Sequence, residues 1–130
     1  MSLKGKFSVQ AWDENPQHEL GNESKISRAT VKQLYSGDVS GESTIEYTMY
    51  YPDQSTSTFI GFEYFTGTIS DTTGDKSGTL IFKHNGKFEN GVATSQFKSL
   101  NGTADLEGLN CSGTFKTLNH GEAEYEFTIL

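Results

Sequence analysis

The sequence predicts an all-β protein: one antiparallel sheet of about eight strands, rolled into a single closed β-barrel that takes up residues 1–130 as one domain. Three observations carry this expectation. Apolar and polar residues alternate with a period of two in several segments, the spacing of a strand with one dry and one wet face. Turn signals separate those segments at short intervals. Fourteen Gly, fourteen Ser and fifteen Thr accompany 12% aromatic residues, a mixture that suits sheet and turns rather than helix or disorder. A chain of 130 residues fits one domain of roughly 100–200 residues and can bury about two-thirds of its unfolded surface.

In chain order, Phe7, Val9 and Ala11 alternate with Lys6, Ser8 and Gln10. Trp12, the sole tryptophan, has parity opposite to Phe7 and Val9 and closes this first strand with Asp13 and Glu14. Residues 24–35 carry two patterns. Ile26, Ala29, Gln33 and Leu34 suit a helix, whereas Ala29, Val31 and Tyr35 suit a strand, and strand is the reading taken. From Val39 to Tyr51, the apolar Val39, Ile45, Tyr47, Met49 and Tyr51 alternate with Ser40, Glu42, Thr44, Glu46 and Thr48. Phe59-Ile60-Gly61-Phe62-Glu63-Tyr64-Phe65 is apolar at both parities, as expected of a strand buried on both faces. Thr79 to His84 runs into Asn85-Gly86, read as a hairpin because a type I′ turn needs positive φ at both central residues. At the C-terminus, Ala123, Tyr125, Phe127 and Ile129 alternate with Glu122, Glu124 and Glu126. Turns or bulges are expected at Tyr51-Pro52-Asp53, Thr73-Gly74-Asp75, Asn90-Gly91, Asn101-Gly102 and His120-Gly121, and both prolines are placed in loops. Gly67-Thr68 precedes Gly78-Thr79 by eleven residues, as Gly102-Thr103 precedes Gly113-Thr114, so two similar hairpins are expected. Glycines inside strand patterns mark the bends a sheet needs to coil closed.

Seventeen acidic against ten basic residues give a net charge of −7. Nucleic acid binding needs clustered Lys and Arg, and this chain has one arginine, Arg28, and no basic residue between Lys32 and Lys76. Neither nucleic acid nor an anionic membrane is therefore an expected partner. The single cysteine, Cys111, forms no internal disulfide and reads as a small buried hydrophobe; the chain suits a reducing cytoplasm. The N-terminus has no apolar stretch of the kind that marks a signal peptide.

Glu63 is the most interesting carboxylate. It shares a strand face with Phe59 and Phe65, where loss of solvent disfavours the charged form. That environment makes it a candidate general acid or base, or a polar anchor for a ligand; the plainer alternative is a carboxylate that sits at a barrel mouth or is paired with a buried donor such as a tyrosine hydroxyl. His18, His84 and His120 form no metal-ligand spacing and read as surface residues, with His84 and His120 expected beside hairpin turns at one rim. No metal and no cofactor are expected. The nucleophile-elbow, phosphate-loop and Rossmann patterns are missing from the sequence.

The order of several motifs is itself informative. Phe7-x-Val9-x-x-Trp12-Asp13 is followed by Gly37-Asp38-Val39-Ser40-Gly41-Glu42-Ser43, Gly61-x-Glu63, Gly67-Thr68 and Ser77-Gly78-Thr79-Leu80. Gly102-Thr103-Ala104-Asp105-Leu106-Glu107-Gly108-Leu109 and Tyr125-x-Phe127-x-Ile129-Leu130 complete the series. The chain resembles the bacterial family of domain of unknown function 3224 over nearly its whole length. The resemblance implies a small antiparallel barrel like that of allene oxide cyclase, related in shape to lipocalins, and it implies no activity.

An eight-stranded barrel can hold one small ligand. The leading expectation is a module that binds a small apolar or aromatic molecule, with Trp12, Tyr47, Phe65 and Tyr125 as wall residues and Glu63 as polar anchor. One alternative is a cofactor-free isomerase or cyclase using Glu63 as acid/base. Another is a packed barrel that acts by self-association through an exposed apolar strand face, giving a homo-oligomer.

Overall fold

The computed structural model describes residues 2–118 and 121–130. Eight antiparallel strands follow one another in sequence order: β1 (Ser2–Glu19), β2 (Lys25–Gly37), β3 (Val39–Tyr51), β4 (Ser57–Asp71), β5 (Gly74–Glu89), β6 (Val92–Gly102), β7 (Cys111–Thr117) and β8 (Glu122–Ile129). Among the described residues the one helical element is a 3-10 turn, Ala104–Leu106. Among the described residues no helix is long and apolar enough to cross a membrane.

The strand pairing is that of a closed ring, because β1 hydrogen-bonds to β2 on one side and to β8 on the other. The closure is short. β1 pairs with β8 only from Ser2 to Ser8, with one more bond from the Val9 N–H to the Gly121 carbonyl. From Ala11 to Glu19, β1 pairs with β2 alone among the described residues. The expected single closed β-barrel is corrected accordingly: the sheet is a ring at one end, and at the other, among the described residues, β1 has a margin without a second neighbour. Pro16 lies in that free segment, paired with Ser27 rather than in a loop as expected. An unpaired margin has no use for the N–H that proline lacks, and Asp13, Glu14 and Glu19 on the same stretch discourage further strand pairing.

Inward-facing side chains fill the ring end. Phe65, Phe82, Phe127, Ile45, Ile69 and Leu80 are all almost wholly buried, and the aromatic rings meet edge to face, as Phe82 does with Phe97 and Phe127 at centroid distances of 5.3 and 5.5 Å. Leu106, on the 3-10 turn, is buried and stops this end. Two sequence expectations change here. β4 is buried on one face only: Phe59, Glu63 and Phe65 point in, whereas Ile60, Phe62 and Tyr64 are each more than half exposed. Asn85-Gly86 is no turn but the middle of β5, paired with Ile60 and Phe59; the chain reverses at Asn90-Gly91, with positive φ at both residues. The two Gly-Thr repeats also differ: Gly67 and Gly78 lie directly opposite each other on β4 and β5, but Gly113 pairs with Phe97 and not with Gly102.

Tyr125 fastens the ring end. Its hydroxyl accepts the Val39 N–H at 2.8 Å and lies 2.8 Å from the Ser36 carbonyl and 3.0 Å from that of Val39. To reach this β2–β3 corner from β8 the side chain passes over Gly5 of β1, where an added Cβ would fall 2.3 Å from the hydroxyl oxygen. Tyr125→Phe leaves the buried Val39 N–H unpaired and should cost about 1–3 kcal/mol. The expected result is a lower urea midpoint with an unchanged slope.

Candidate functional site

A cavity of about 230 Å³ opens at the free-margin end of the sheet. Phe7, Tyr47, Met49, Phe59 and Phe115 form much of its wall, and Trp12 stands at its mouth. Trp12 faces inward because β1 carries a bulge between Val9 and Ala11. The extra residue shifts the parity, so that Trp12 pairs with Val31, an inward residue, despite its sequence parity.

Glu14 holds the mouth together, a role the sequence did not suggest. The Trp12 indole N–H donates to Glu14 Oε1 at 3.0 Å, while the hydroxyls of Ser27 and Tyr51 donate to Oε2 at 2.9 and 2.8 Å. One carboxylate thus ties the free part of β1 to β2 and β3. The Tyr51 phenol is pushed up from its ordinary pKa, first by burial and then by its bond to Glu14. Lys25 Nζ sits over the Tyr51 ring, 4.8 Å from its centroid.

Gln33, Ser57 and Thr117 interrupt the apolar lining, and the Thr117 hydroxyl already accepts the Ala93 N–H. Gln33 and Ser57 both face the cavity and both are at least nine-tenths buried. Gln33 Oε1 and Ser57 Oγ have no hydrogen-bond partner.

Glu63 lies deeper, is fully buried and does not line the cavity. The Tyr35 hydroxyl donates to its Oε2 at 2.5 Å, and Nε2 of His84 contacts its Oε1 at 2.5 Å. The His84 Nδ1 in turn meets the Ser95 hydroxyl at 3.0 Å, and that hydroxyl lies 3.3 Å from the Gln96 carbonyl. Side chains from β2, β4, β5 and β6 are therefore joined in one buried polar chain. Burial, followed by the neighbouring Glu63 charge, raises the Tyr35 phenol well above its ordinary pKa, so Tyr35 stays a donor. His84 is wholly buried and stacks on Phe97 at 4.7 Å, which corrects its reading as a surface residue beside a turn. His120 lies outside the described residues.

Of the residues expected at a site, Trp12 and Tyr47 come together at the cavity. Phe65 is fully buried in the ring-end core, Tyr125 is the corner latch, and Glu63 belongs to the polar chain beneath the cavity. Among the described residues no group of three or more His, Cys, Asp or Glu is placed to hold a metal ion. A larger depression of about 910 Å³ lies on the outer surface, lined by Lys4, Lys6, Lys87 and Lys116 together with Glu124 and Glu126. The acids offset part of its positive charge.

Two predictions follow from this chemistry. Glu63→Ala strands the Tyr35 hydroxyl and the His84 ring, and should cost about 3–5 kcal/mol. The triple variant Tyr35→Phe, Glu63→Leu, His84→Phe replaces the polar chain by apolar groups and should recover most of that loss in urea unfolding. The alkaline limit is set by buried phenols. Tyr35 and Tyr47 are raised well above their ordinary value, chiefly by burial, and burial pushes Tyr125 up to about 12. The native state then holds protons that the unfolded chain releases near pH ~10. Stability should be intact below that pH and fall as pH rises above it, with phenolate absorbance of these tyrosines appearing together with unfolding.

The comparisons with known proteins agree with this fold. The family model described as "Protein of unknown function (DUF3224)" matches residues 3–129. The crystal structure of a protein with unknown function from the DUF3224 family of Shewanella oneidensis MR-1 superposes with a TM-score of 0.72 at 16% identity. The superposition covers 100% of this chain and 96% of that one. At that identity the likeness concerns the fold alone. No curated protein matches the sequence.

Proposed function

Because the chain belongs to the DUF3224 family, whose description names no activity, its role has to be read from the cavity, and we propose that the protein binds a small, mostly apolar aromatic molecule there. The observation that carries this reading is the pair of buried, unpartnered polar atoms, Gln33 Oε1 and Ser57 Oγ, facing an otherwise apolar cavity. Leaving such atoms unpaired costs roughly 1–3 kcal/mol each, and a ligand bearing a hydrogen-bond donor removes that cost on Gln33. Apolar walls with few convergent polar groups are the usual composition of a small-molecule site. The volume of about 230 Å³ is smaller than the roughly 300–1,000 Å³ of drug-sized sites, so one or two fused rings suit it.

Tyr47 and Phe59 supply ring faces and edges, with centroids 4.9 Å apart. Trp12 closes over the guest, held by Glu14. In this reading Gln33 takes the anchoring part first expected of Glu63, whose two oxygens are already engaged by Tyr35 and His84.

Naphthol and naphthalene provide the test, read by titration calorimetry. Naphthol should bind more tightly than naphthalene, because its hydroxyl donates to Gln33. Gln33→Leu should remove that preference, and Trp12→Ala should weaken both ligands about tenfold, the loss of roughly one aromatic contact. Absence of binding of either compound at millimolar concentration would count against the proposal, as would an unchanged preference in Gln33→Leu.

A further inference from the structure

On the outer face of β4, Ile60, Phe62 and Tyr64 form a row of three large apolar side chains, each more than half exposed. The row runs along the middle of a broad sheet surface, with β3 on one side and β5 on the other. Glu46 of β3 lies directly opposite Phe62, and Lys83 of β5 lies opposite it from the other side. Both charged residues are exposed, and neither has an ion-pair partner among the described residues. Lys83 faces Lys98 across the β5–β6 pairing, a like-charge neighbour that disfavours it. The remaining flanks of the row are uncharged: Thr44 and Ile81 beside Tyr64, Thr48 and Asn85 beside Ile60.

We propose that this face binds a second copy of the chain, about a two-fold axis that runs along β4. Rotation about that axis lays the apolar row of one copy on that of the other, Phe62 against Phe62. It also exchanges left for right, so Glu46 of each copy comes over Lys83 of its partner. A two-fold axis across the strand would instead set Glu46 on Glu46 and Lys83 on Lys83, so the charge pattern selects the first geometry. An isologous contact needs a surface complementary to itself, and a central apolar row with one acid and one base on opposite sides meets that need. Pairing with Glu46 also relieves the Lys83–Lys98 repulsion. The apolar centre is only three residues wide along one strand, less than the roughly 800 Å² per partner of a standard interface, so the dimer is weak and concentration-dependent. None of these residues lines the cavity, and the proposal does not rest on the ligand-binding reading.

Sedimentation equilibrium over a range of concentrations tests the proposal. The protein should show a reversible monomer–dimer equilibrium. Phe62→Ser, Glu46→Lys and Lys83→Glu should each weaken it at least about tenfold, roughly the coupling of one desolvated contact or charge pair. The double variant Glu46→Lys, Lys83→Glu should restore dimerisation, which general surface stickiness would not do. Circular dichroism checks that each variant is folded. The proposal fails if the protein is monomeric up to about millimolar concentration, if Phe62→Ser dimerises as well as the native chain, or if the double charge exchange brings no recovery.

Discussion

A carboxylate shut away from water must receive from the chain every hydrogen bond that water would have given it. Glu63 is in that position, and the central part of the sheet is arranged to meet its needs. Tyr35 reaches it from β2, His84 from β5, and His84 is itself steadied by Ser95 of β6. Each partner has to stand at one register position for the contacts to exist. A one-residue slip of any of these strands would turn its contribution outward and leave a buried polar group unmet. The polar chain therefore acts on register as much as on stability, while the surrounding aromatic rings supply most of the burial.

That constraint separates the two ends of the molecule. Below the polar chain the interior is filled, with Leu106 stopping the end and Tyr125 tying the β2–β3 corner to β8 across Gly5. Above it, β8 ends while β1 continues to Glu19 against β2 alone among the described residues. The cavity lies at this end. Glu14 compensates for the missing strand by joining Trp12, Ser27 and Tyr51. A cavity beside a free strand margin is easier to enter than one inside a sheet closed along its full length, which suits exchange of a small guest.

The outer surface divides in a related way. Around β7 and β8, lysines alternate with glutamates across the strands, as Lys6 does with Glu124 and Lys4 with Glu126, so charge is balanced locally. Along the middle of β4 the outward positions Ile60, Phe62 and Tyr64 are apolar instead, and the nearest acid and base stand apart on opposite sides. Local balance favours a face left in solvent. Separated charges around an apolar row favour a face that meets its own copy.

The sequence by itself determined the all-β class, the number of strands and most inward-facing residues, because alternation with a period of two is a local property that each strand carries alone. It also placed Glu63 on one strand face with Phe59 and Phe65, but that strand is apolar at both parities, and only the tertiary structure decided that this face is the inward one. Tertiary structure decided where alternation ceased to be enough. The bulge after Val9 reversed the side on which Trp12 falls, and a bulge depends on the pairing of two strands rather than on either one. Asn85-Gly86 has the composition of a turn, yet β4 and β6 pair across it and keep it extended. The polar chain of Tyr35, Glu63, His84 and Ser95 and the clasp around Glu14 join residues distant in sequence. Their meeting depends on strand order and register, which no single segment encodes.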